Sequence, residues 1–184
     1  MKFLFAGRPA REKGLGVLFE AWSTSGLQAP TAALVLVGTG PIPPWVPAGG
    51  AVAALGAVPA SELRDLYAAS HVLVVPSIAT RSFREPWGLV VNEAMNQGLP
   101  AIASDAVGAA AGGLVRDGRN GVVVPAGDAI ALAAAMRRLA GDGDTRRRLG
   151  ATGREDVAAY DFDAWAAGFA EALASLGRSR EDVR

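Results

Sequence analysis

The sequence of 184 residues contains no cysteine and only one histidine. Without cysteine it cannot form a disulfide framework, use a thiolate as nucleophile or build a zinc site on thiolates. A single histidine excludes metal centres that need several. A lone histidine such as His71, placed between a helix and a strand, is usually structural. Neither cysteine chemistry nor a multi-histidine metal centre is therefore expected.

The sequence also lacks an excess of charge of either sign and lacks any long apolar run. Lys and Arg together number 18, as do Asp and Glu, and this balance argues against nucleic acid or anionic lipid as the main partner. No apolar run reaches the ~18 residues of a membrane span. Arg8 and Arg11 interrupt the apolar start after Phe5, so it does not have the shape of a signal peptide. These absences favour a cytoplasmic protein with no nucleic-acid partner.

What the sequence does contain is an alternation of short apolar runs and segments with helical spacing. The runs predict strands at Lys2–Ala6, Ala33–Val37, Val52–Leu55, Val72–Val75, Ala101–Ser104 and Val122–Val124. The pattern predicts one α/β domain over residues 1–184, with a Rossmann-like, doubly wound parallel sheet of about six strands and helices on both faces. A helical C-terminal tail follows, in which we expect Trp165 and Phe169 to be core residues and residues 177–184 to fray.

The ends of the predicted strands indicate where a ligand would bind, because doubly wound sheets bind ligands outside the carboxyl ends of their strands. Arg8 and Lys13 follow the first strand, and both suit phosphate oxygens. The alternative is a solvated loop with ordinary surface charges. Cations near a helix start oppose the helix dipole by ~0.3–1 kcal/mol each, and a bound anion would explain their placement. The strand exits are Gly7-Arg8, Gly38-Thr39-Gly40, Gly56-Ala57-Val58, Pro76-Ser77 and Ser104-Asp105.

Arg84–Ser104 is the segment around which the chain is organised. Pro86 suits the approach to a helix, and Gly88 leaves the amides of the first helical turn open. A loop that leads into a helix with open amides is a physical site for phosphate. We expect the helix to bury most of its sides through its apolar residues, which are Leu89, Val90, Val91, Ala94 and Met95.

Two glutamates in this segment, Glu85 and Glu93, have seven residues between them. If the helix begins near Gly88, Glu93 lies ~7–8 Å along its axis, while Glu85 precedes the start. The two carboxylates then flank the open amides, which suits a ligand with hydroxyls at both ends and a diphosphate between. This arrangement argues against an acid/base pair that faces one scissile bond. The alternative is that Glu85 is a capping charge and Glu93 an ordinary surface residue.

Together these residues resemble the C-terminal, donor-binding domain of family 4 glycosyltransferases, retaining enzymes with the two-domain GT-B fold. One pair of glutamates at this spacing would be a weak signal, but an ordered set over Lys2 to Val124 is specific. The matching stretches are Gly7-Arg8 with Lys13-Gly14, Gly56-Ala57-Val58-Pro59, Pro76-Ser77, Glu85 to Met95, Gly98-Leu99-Pro100, Ser104 to Gly108 and Asp117 to Gly121.

The resemblance implies a role for each matched residue. Glu85 would bond hydroxyls of the transferred sugar, and Glu93 would bind the ribose of the nucleotide. Arg8 and Lys13 would clamp the diphosphate and steady the leaving group without a metal. The other implied binding residues, several of them through their backbone, are Trp87, Gly88, Leu89, Val58, Gly7 and Ser77.

The implied reaction moves a sugar from a nucleoside diphosphate to an acceptor with retained anomeric configuration. UDP- or GDP-linked donors are expected rather than ADP-linked ones, with no cofactor and no metal. The family's acceptor-binding N-terminal domain is not in this sequence, so we expect the chain to bind nucleotide without catalysing transfer. That other domain would make any peripheral contact with the inner face of the membrane, and the helix with Trp165 would cross to it.

Two other functions remain open from the residues alone. One is a non-catalytic, flavodoxin-like module that binds a nucleotide or another ligand. The other is part of an epimerase or phosphorylase with the same architecture. The first alternative predicts that replacing Glu85 or Arg8 leaves the affinity for any ligand unchanged.

Overall fold

The computed structural model describes residues 1–38 and 51–181, with side chains through residue 176. Thr39-Gly40 of the second strand exit lies outside these residues. The described strands form one sheet in which every pairing is parallel, with the order β3-β2-β1-β4-β5-β6. The predicted parallel sheet of six strands is thus confirmed. The strands are β1 Lys2–Ala6, β2 Ala33–Val37, β3 Val52–Leu55, β4 Val72–Val75, β5 Ala101–Ser104 and β6 Gly121–Val124.

Helices connect these strands and follow the last one. A short 3-10 helix, Arg11–Lys13, lies between β1 and the first α-helix. The α-helices are α1 Leu15–Ser25, α2 Ala60–Ala68, α3 Val90–Asn96, α4 Gly108–Ala111, α5 Ala129–Gly141, α6 Gly143–Val157 and α7 Phe162–Glu181.

The order of the strands reverses at the centre of the sheet. The chain starts at β1, moves outward through β2 to β3, and then returns to β4 on the other side of β1. The carboxyl ends of β1 and β4 are therefore neighbours whose connections leave in opposite directions. Such a reversal opens a crevice at which doubly wound sheets bind ligands.

Helices cover both faces of the sheet, as predicted. Phe3 and Leu4 are neighbours on β1, and their side chains lie on opposite faces of the sheet. Each side chain is 0% exposed, and the two belong to different apolar clusters. One cluster joins the sheet to α1 and α5, and the other joins it to α2, α3 and α6. Because both faces are buried, the strands are continuous apolar runs rather than alternating ones.

The prediction that Trp165 and Phe169 belong to the core is wrong. Their side chains are 70% and 55% exposed, and their rings stack on each other with centroids 5.5 Å apart. Helical spacing shows that apolar residues share a face of α7 but does not show that another element covers that face. The helix also continues to Glu181, so residues 177–181 of the predicted frayed tail are helical. In the described part of the chain, no helix is both long and apolar enough to cross a membrane.

Candidate functional site

The backbone around Glu85 is fixed to the start of α4. The N–H of Gly108 donates to the carbonyl of Glu85 at 3.0 Å, and the N–H of Ala109 donates to the carbonyl of Trp87 at 2.8 Å. A Cβ at Gly108 would lie 1.9 Å from the carbonyl oxygen of Pro86, so the close approach requires glycine. These contacts hold the loop that carries Glu85 in one position.

Lys13 and Glu85 form an ion pair between Nζ and Oε2, although they lie 72 positions apart in the sequence. The side chains are 21% and 8% exposed, respectively. Ser77, at the end of β4, places its hydroxyl 3.5 Å from the same carboxylate oxygen. Three of the predicted site residues therefore meet at one atom, while within the described ranges Oε1 of Glu85 accepts no hydrogen bond.

Lys13 reaches Glu85 because the loop after β1 packs tightly against the end of β4. Gly14 ends the 3-10 helix with a left-handed φ of 72°. A Cβ at this glycine would lie 1.9 Å from the carbonyl oxygen of Pro76. The N–H of Ile78 donates to the carbonyl of Glu12 at 2.9 Å, which adds a second link between the two strand exits. The expected meeting of the β1 and β4 exits is confirmed.

Arg8 and Lys13 contact different carboxylates in this structure. The guanidinium of Arg8 lies 3.7 Å from Oε1 of Glu12, and the Arg8 side chain is 74% exposed. The exposed guanidinium is available to a ligand in solvent, whereas Lys13 holds Glu85. A joint clamp of Arg8 and Lys13 on phosphate stays a prediction.

The start of α3 differs from the prediction by two residues. Gly88 has a φ of 88°, which is left-handed, so the helix begins after it, at Val90. Leu89, predicted to be buried, is 69% exposed because it lies in the turn ahead of the helix. Among the described residues, the N–H groups of Gly88 and Leu89 donate to no protein group. The open amides thus begin in the turn before α3, two residues ahead of the helix.

Glu93, the second carboxylate predicted for the site, is held by a residue that the sequence did not indicate. The hydroxyl of Tyr67 donates to Oε2 of Glu93 at 2.7 Å. Tyr67 lies in α2 and is 2% exposed, whereas Glu93 is exposed on α3. Burial, and secondly the adjacent Glu93 carboxylate, raise the pKa of the Tyr67 phenol, so it stays protonated at neutral pH. A buried tyrosine needs a hydrogen-bond partner for its hydroxyl. This general requirement is the one feature of the sequence that could have pointed to Tyr67.

The side chain of Trp87 packs and hydrogen-bonds within the protein. Its Nε1 donates to Oδ1 of Asn92 at 2.7 Å, and its ring lies 5.5 Å from that of Tyr160. A Cβ at Gly112 would lie 2.9 Å from the indole ring. A ligand contact at Trp87 would therefore come from the backbone, as the resemblance implies.

The two remaining predicted site residues, Gly7 and Val58, follow β1 and β3. The N–H of Gly7 donates to the carbonyl of Val37 at 3.0 Å, which continues the sheet beyond β1. Val58 is half-buried after β3. The binding roles of Gly7 and Val58 stay predictions.

His71 has the structural role that the sequence predicts. The N–H of Lys2 donates to Nδ1 of His71 at 3.0 Å, and the N–H of His71 donates to the carbonyl of Lys2 at 2.9 Å. Burial is the first cause that lowers the pKa of this imidazole, and nearby positive charges add to it. The histidine links β1 to β4 at the amino ends of the strands, far from Glu85.

Comparison with known proteins identifies the family. Residues 1–142 match the family model described as glycosyl transferases group 1. The chain is 35% identical over 126 residues to the D-inositol 3-phosphate glycosyltransferase of Streptomyces bingchenggensis, covering 67% of this chain and 26% of that protein.

Solved structures agree with this match. Sucrose-phosphate synthase from Thermosynechococcus elongatus has 33% identity and a TM-score of 0.74, covering 97% of this chain and 46% of that one. Anabaena HepE, solved in complex with UDP, shares the fold at 24% identity and a TM-score of 0.75, covering 95% of this chain and 48% of that one. The chain thus spans about a quarter of the Streptomyces relative and just under half of each solved chain. It belongs to the glycosyl transferases group 1 family and has the Rossmann-like fold of one domain of GT-B glycosyltransferases.

Proposed function

We propose that this chain binds the nucleoside diphosphate sugar of a retaining glycosyltransferase. The ion pair of Lys13 with Glu85 at the centre of the sheet carries the proposal. The pair supplies a carboxylate oxygen and an ammonium group, and the open amides of Gly88 and Leu89 follow Glu85 in the same loop. Carboxylates bond sugar hydroxyls, whereas amides and cations bond phosphate. Anabaena HepE, which shares this fold, has been solved with UDP and with UDP-glucose.

Glu85 would bind the transferred sugar through Oε1, since Oε2 is taken by Lys13 and Ser77. An ammonium group has three N–H donors. Lys13 therefore keeps donors for a phosphate oxygen while one of them holds Glu85. The ion pair would thus join the sugar and diphosphate parts of the donor site.

The rate of sugar transfer would be raised most by charged and polar groups that are already in position before the bond to the sugar breaks. Negative charge develops on the diphosphate as the bond to the sugar breaks, and fixed donors stabilise that charge without reorganising. Lys13, Arg8 and the amides of Gly88 and Leu89 would supply these donors. Glu93 would hold the ribose, with the base of UDP or GDP near Val58.

We propose that these cations act in place of a metal and that no cofactor takes part. Among the described residues, no group of three or more carboxylate or imidazole side chains is arranged to hold a metal ion. The carboxylates of the site, Glu85 and Glu93, each have a protein donor already, Lys13 and Tyr67. An unchanged nucleotide affinity in the presence of EDTA would support this part of the proposal.

Acceptor binding would belong to another domain. The chain spans less than half of the solved sucrose-phosphate synthase and HepE chains. We propose that the 184-residue chain binds the donor nucleotide weakly and transfers no sugar alone. Calorimetric titration with UDP, GDP and ADP tests this proposal, and failure of all three to bind at millimolar concentration would contradict it.

A further inference from the structure

We propose that Tyr67 is a positioning residue for ribose recognition, because it holds one oxygen of Glu93 and leaves the other for the ribose hydroxyls. The inference rests on the proposed nucleotide site. It extends that site into α2, which carries none of the residues expected to touch the ligand. Tyr67 would act through Glu93 and would not itself contact the nucleotide.

The phenol of Tyr67 is a fixed point in the structure. Its ring is 2% exposed and packs in the apolar cluster that contains Leu73 of β4 and Met95 of α3. Because this cluster is fully buried and closely packed, the ring has little room to reorient. Its hydroxyl therefore reaches the protein surface at a defined place.

Glu93, in contrast, lies on the exposed side of α3. A free glutamate at an exposed helix position samples many rotamers, and ordering it on ligand binding costs free energy. The 2.7 Å hydrogen bond from Tyr67 to Oε2 meets part of that cost before the ligand arrives. Among the described residues, Oε1 of Glu93 accepts no hydrogen bond, so it is available to a hydroxyl.

The same arrangement occurs at the other carboxylate of the site. Lys13 holds Oε2 of Glu85 just as Tyr67 holds Oε2 of Glu93. Each glutamate is thus fixed through one oxygen by a donor from a different element, with its second oxygen without a protein partner in the described chain. Two carboxylates prepared in this way suit a ligand that presents hydroxyls at both ends.

A purely structural role for Tyr67 makes a different prediction. If Glu93 only satisfies the buried phenol, loss of the hydroxyl would weaken all ligands equally or none. A positioning role instead predicts that only the part of the affinity that depends on the ribose hydroxyls is lost. The two roles are therefore separable by comparing a nucleotide with its dideoxy form.

Tyr67→Phe is the test variant, because it keeps the buried ring and removes only the hydroxyl. Dissociation constants of the 184-residue chain are measured for UDP and 2′,3′-dideoxy-UDP, with GDP and its dideoxy form in parallel. We expect the variant to reduce the preference for ribose by about five- to tenfold, within the net effect of a typical intramolecular hydrogen bond. Tyr160→Phe, which alters the only other tyrosine, should leave the preference unchanged.

The double variant Tyr67→Phe/Glu93→Ala completes the design. In a Glu93→Ala background, loss of the Tyr67 hydroxyl should have no further effect on ribose preference. An equal loss of affinity for UDP and dideoxy-UDP in Tyr67→Phe would overturn the positioning role. So would a full ribose preference in that variant, and in this case the proposed nucleotide site would stand. If the unaltered chain binds neither UDP nor GDP, both the proposed function and this inference fall.

Discussion

Lys13 and Glu85 come from loops that follow β1 and β4, and their side chains meet as an ion pair where the strand order of the sheet reverses. The pair is mostly shielded from water, since Glu85 is 8% and Lys13 21% exposed. Separating two such charges leaves one of them poorly solvated. The pair therefore links the stability of the fold to the site that we propose for the donor.

Lys13→Met should destabilise the protein, because it removes the charge and leaves Glu85 buried without its cation. We expect a loss of about 1–3 kcal/mol in the free energy of unfolding, below the full range for buried pairs because Lys13 keeps some exposure. Urea unfolding at pH 7 measures this loss. The double variant Lys13→Met/Glu85→Gln should recover part of it.

The exposed pair Arg64–Asp65 provides the control, with side chains 64% and 71% exposed. Arg64→Ala should change stability by no more than ~0.5 kcal/mol, as is usual for surface ion pairs. A similar effect of Lys13→Met and Arg64→Ala would mean that the Lys13–Glu85 pair does not stabilise the crevice.

Glu85→Gln should separate sugar recognition from diphosphate recognition. Oε1 of Glu85 is proposed to accept from the sugar, so the variant should lose at least about fivefold in affinity for the sugar nucleotide that binds best. Affinity for the nucleotide without the sugar should stay the same or increase, because Lys13 is released toward phosphate. Calorimetry with UDP, UDP-glucose, GDP and GDP-mannose measures both. Equal affinities for all four ligands in the variant and the parent would favour a binding module with no sugar site.

Gly108→Ala should displace the loop that carries Glu85. The added Cβ would lie 1.9 Å from the carbonyl oxygen of Pro86, and backbone atoms cannot give way as a side chain does. We expect a loss of at least ~1–3 kcal/mol in stability, as for other overpacked sites. Gly168→Ala, in α7 with nothing within 4 Å of the added Cβ, should be neutral or stabilising. Thermal unfolding of the two variants makes the comparison.

Protonation of the Asp156 carboxylate should lower the free energy of unfolding at acidic pH. This carboxylate accepts from Arg119 and from Asn120, which is fully buried, and so ties α6 to the loop before β6. The hydrogen bond from Arg119 is the chief cause that lowers the pKa of Asp156 in the folded state.

A carboxyl whose pKa is lowered by folding stabilises the protein at pH values above its unfolded pKa, about 3.9. That stability is lost as the pH falls through the lower pKa of the folded state. Asp156→Asn should therefore reduce the difference between the urea midpoints at pH 6 and pH 3. Asp144→Asn, at an exposed surface pair, is the control. An unchanged pH dependence in Asp156→Asn would contradict this assignment.

The sequence predicts the sheet well, because continuous apolar runs bounded by glycine and proline indicate buried parallel strands. It also predicts that Arg8 and Ser77 lie at strand exits, where ligands bind in such sheets. It does not predict which side chains meet there, because ion pairing depends on tertiary distances that spacing does not encode. The pairing of Lys13 with Glu85 and the hydrogen bond of Tyr67 to Glu93 are both of this kind.

The errors of sequence interpretation have a common physical cause. Leu89, Trp165 and Phe169 are apolar residues at helical spacing, and all three are exposed. Spacing identifies a shared face, but burial needs a second surface to cover that face. Leu89 also lies outside the helix, because Gly88 is left-handed and α3 begins only at Val90. The implied contact of α7 with another domain stays a prediction.

Every proposed role of this chain depends on a nucleoside diphosphate binding in the crevice between β1 and β4. A ¹⁵N NMR titration of the 184-residue chain with UDP and GDP tests it most directly. We predict saturable shifts, largest at the amides of Gly88 and Leu89 and at the side chain of Lys13. The absence of shifts at millimolar nucleotide would contradict the claim. So would shifts confined to the cavity of about 430 Å³ beside α1, lined by residues such as Arg11 and Val17.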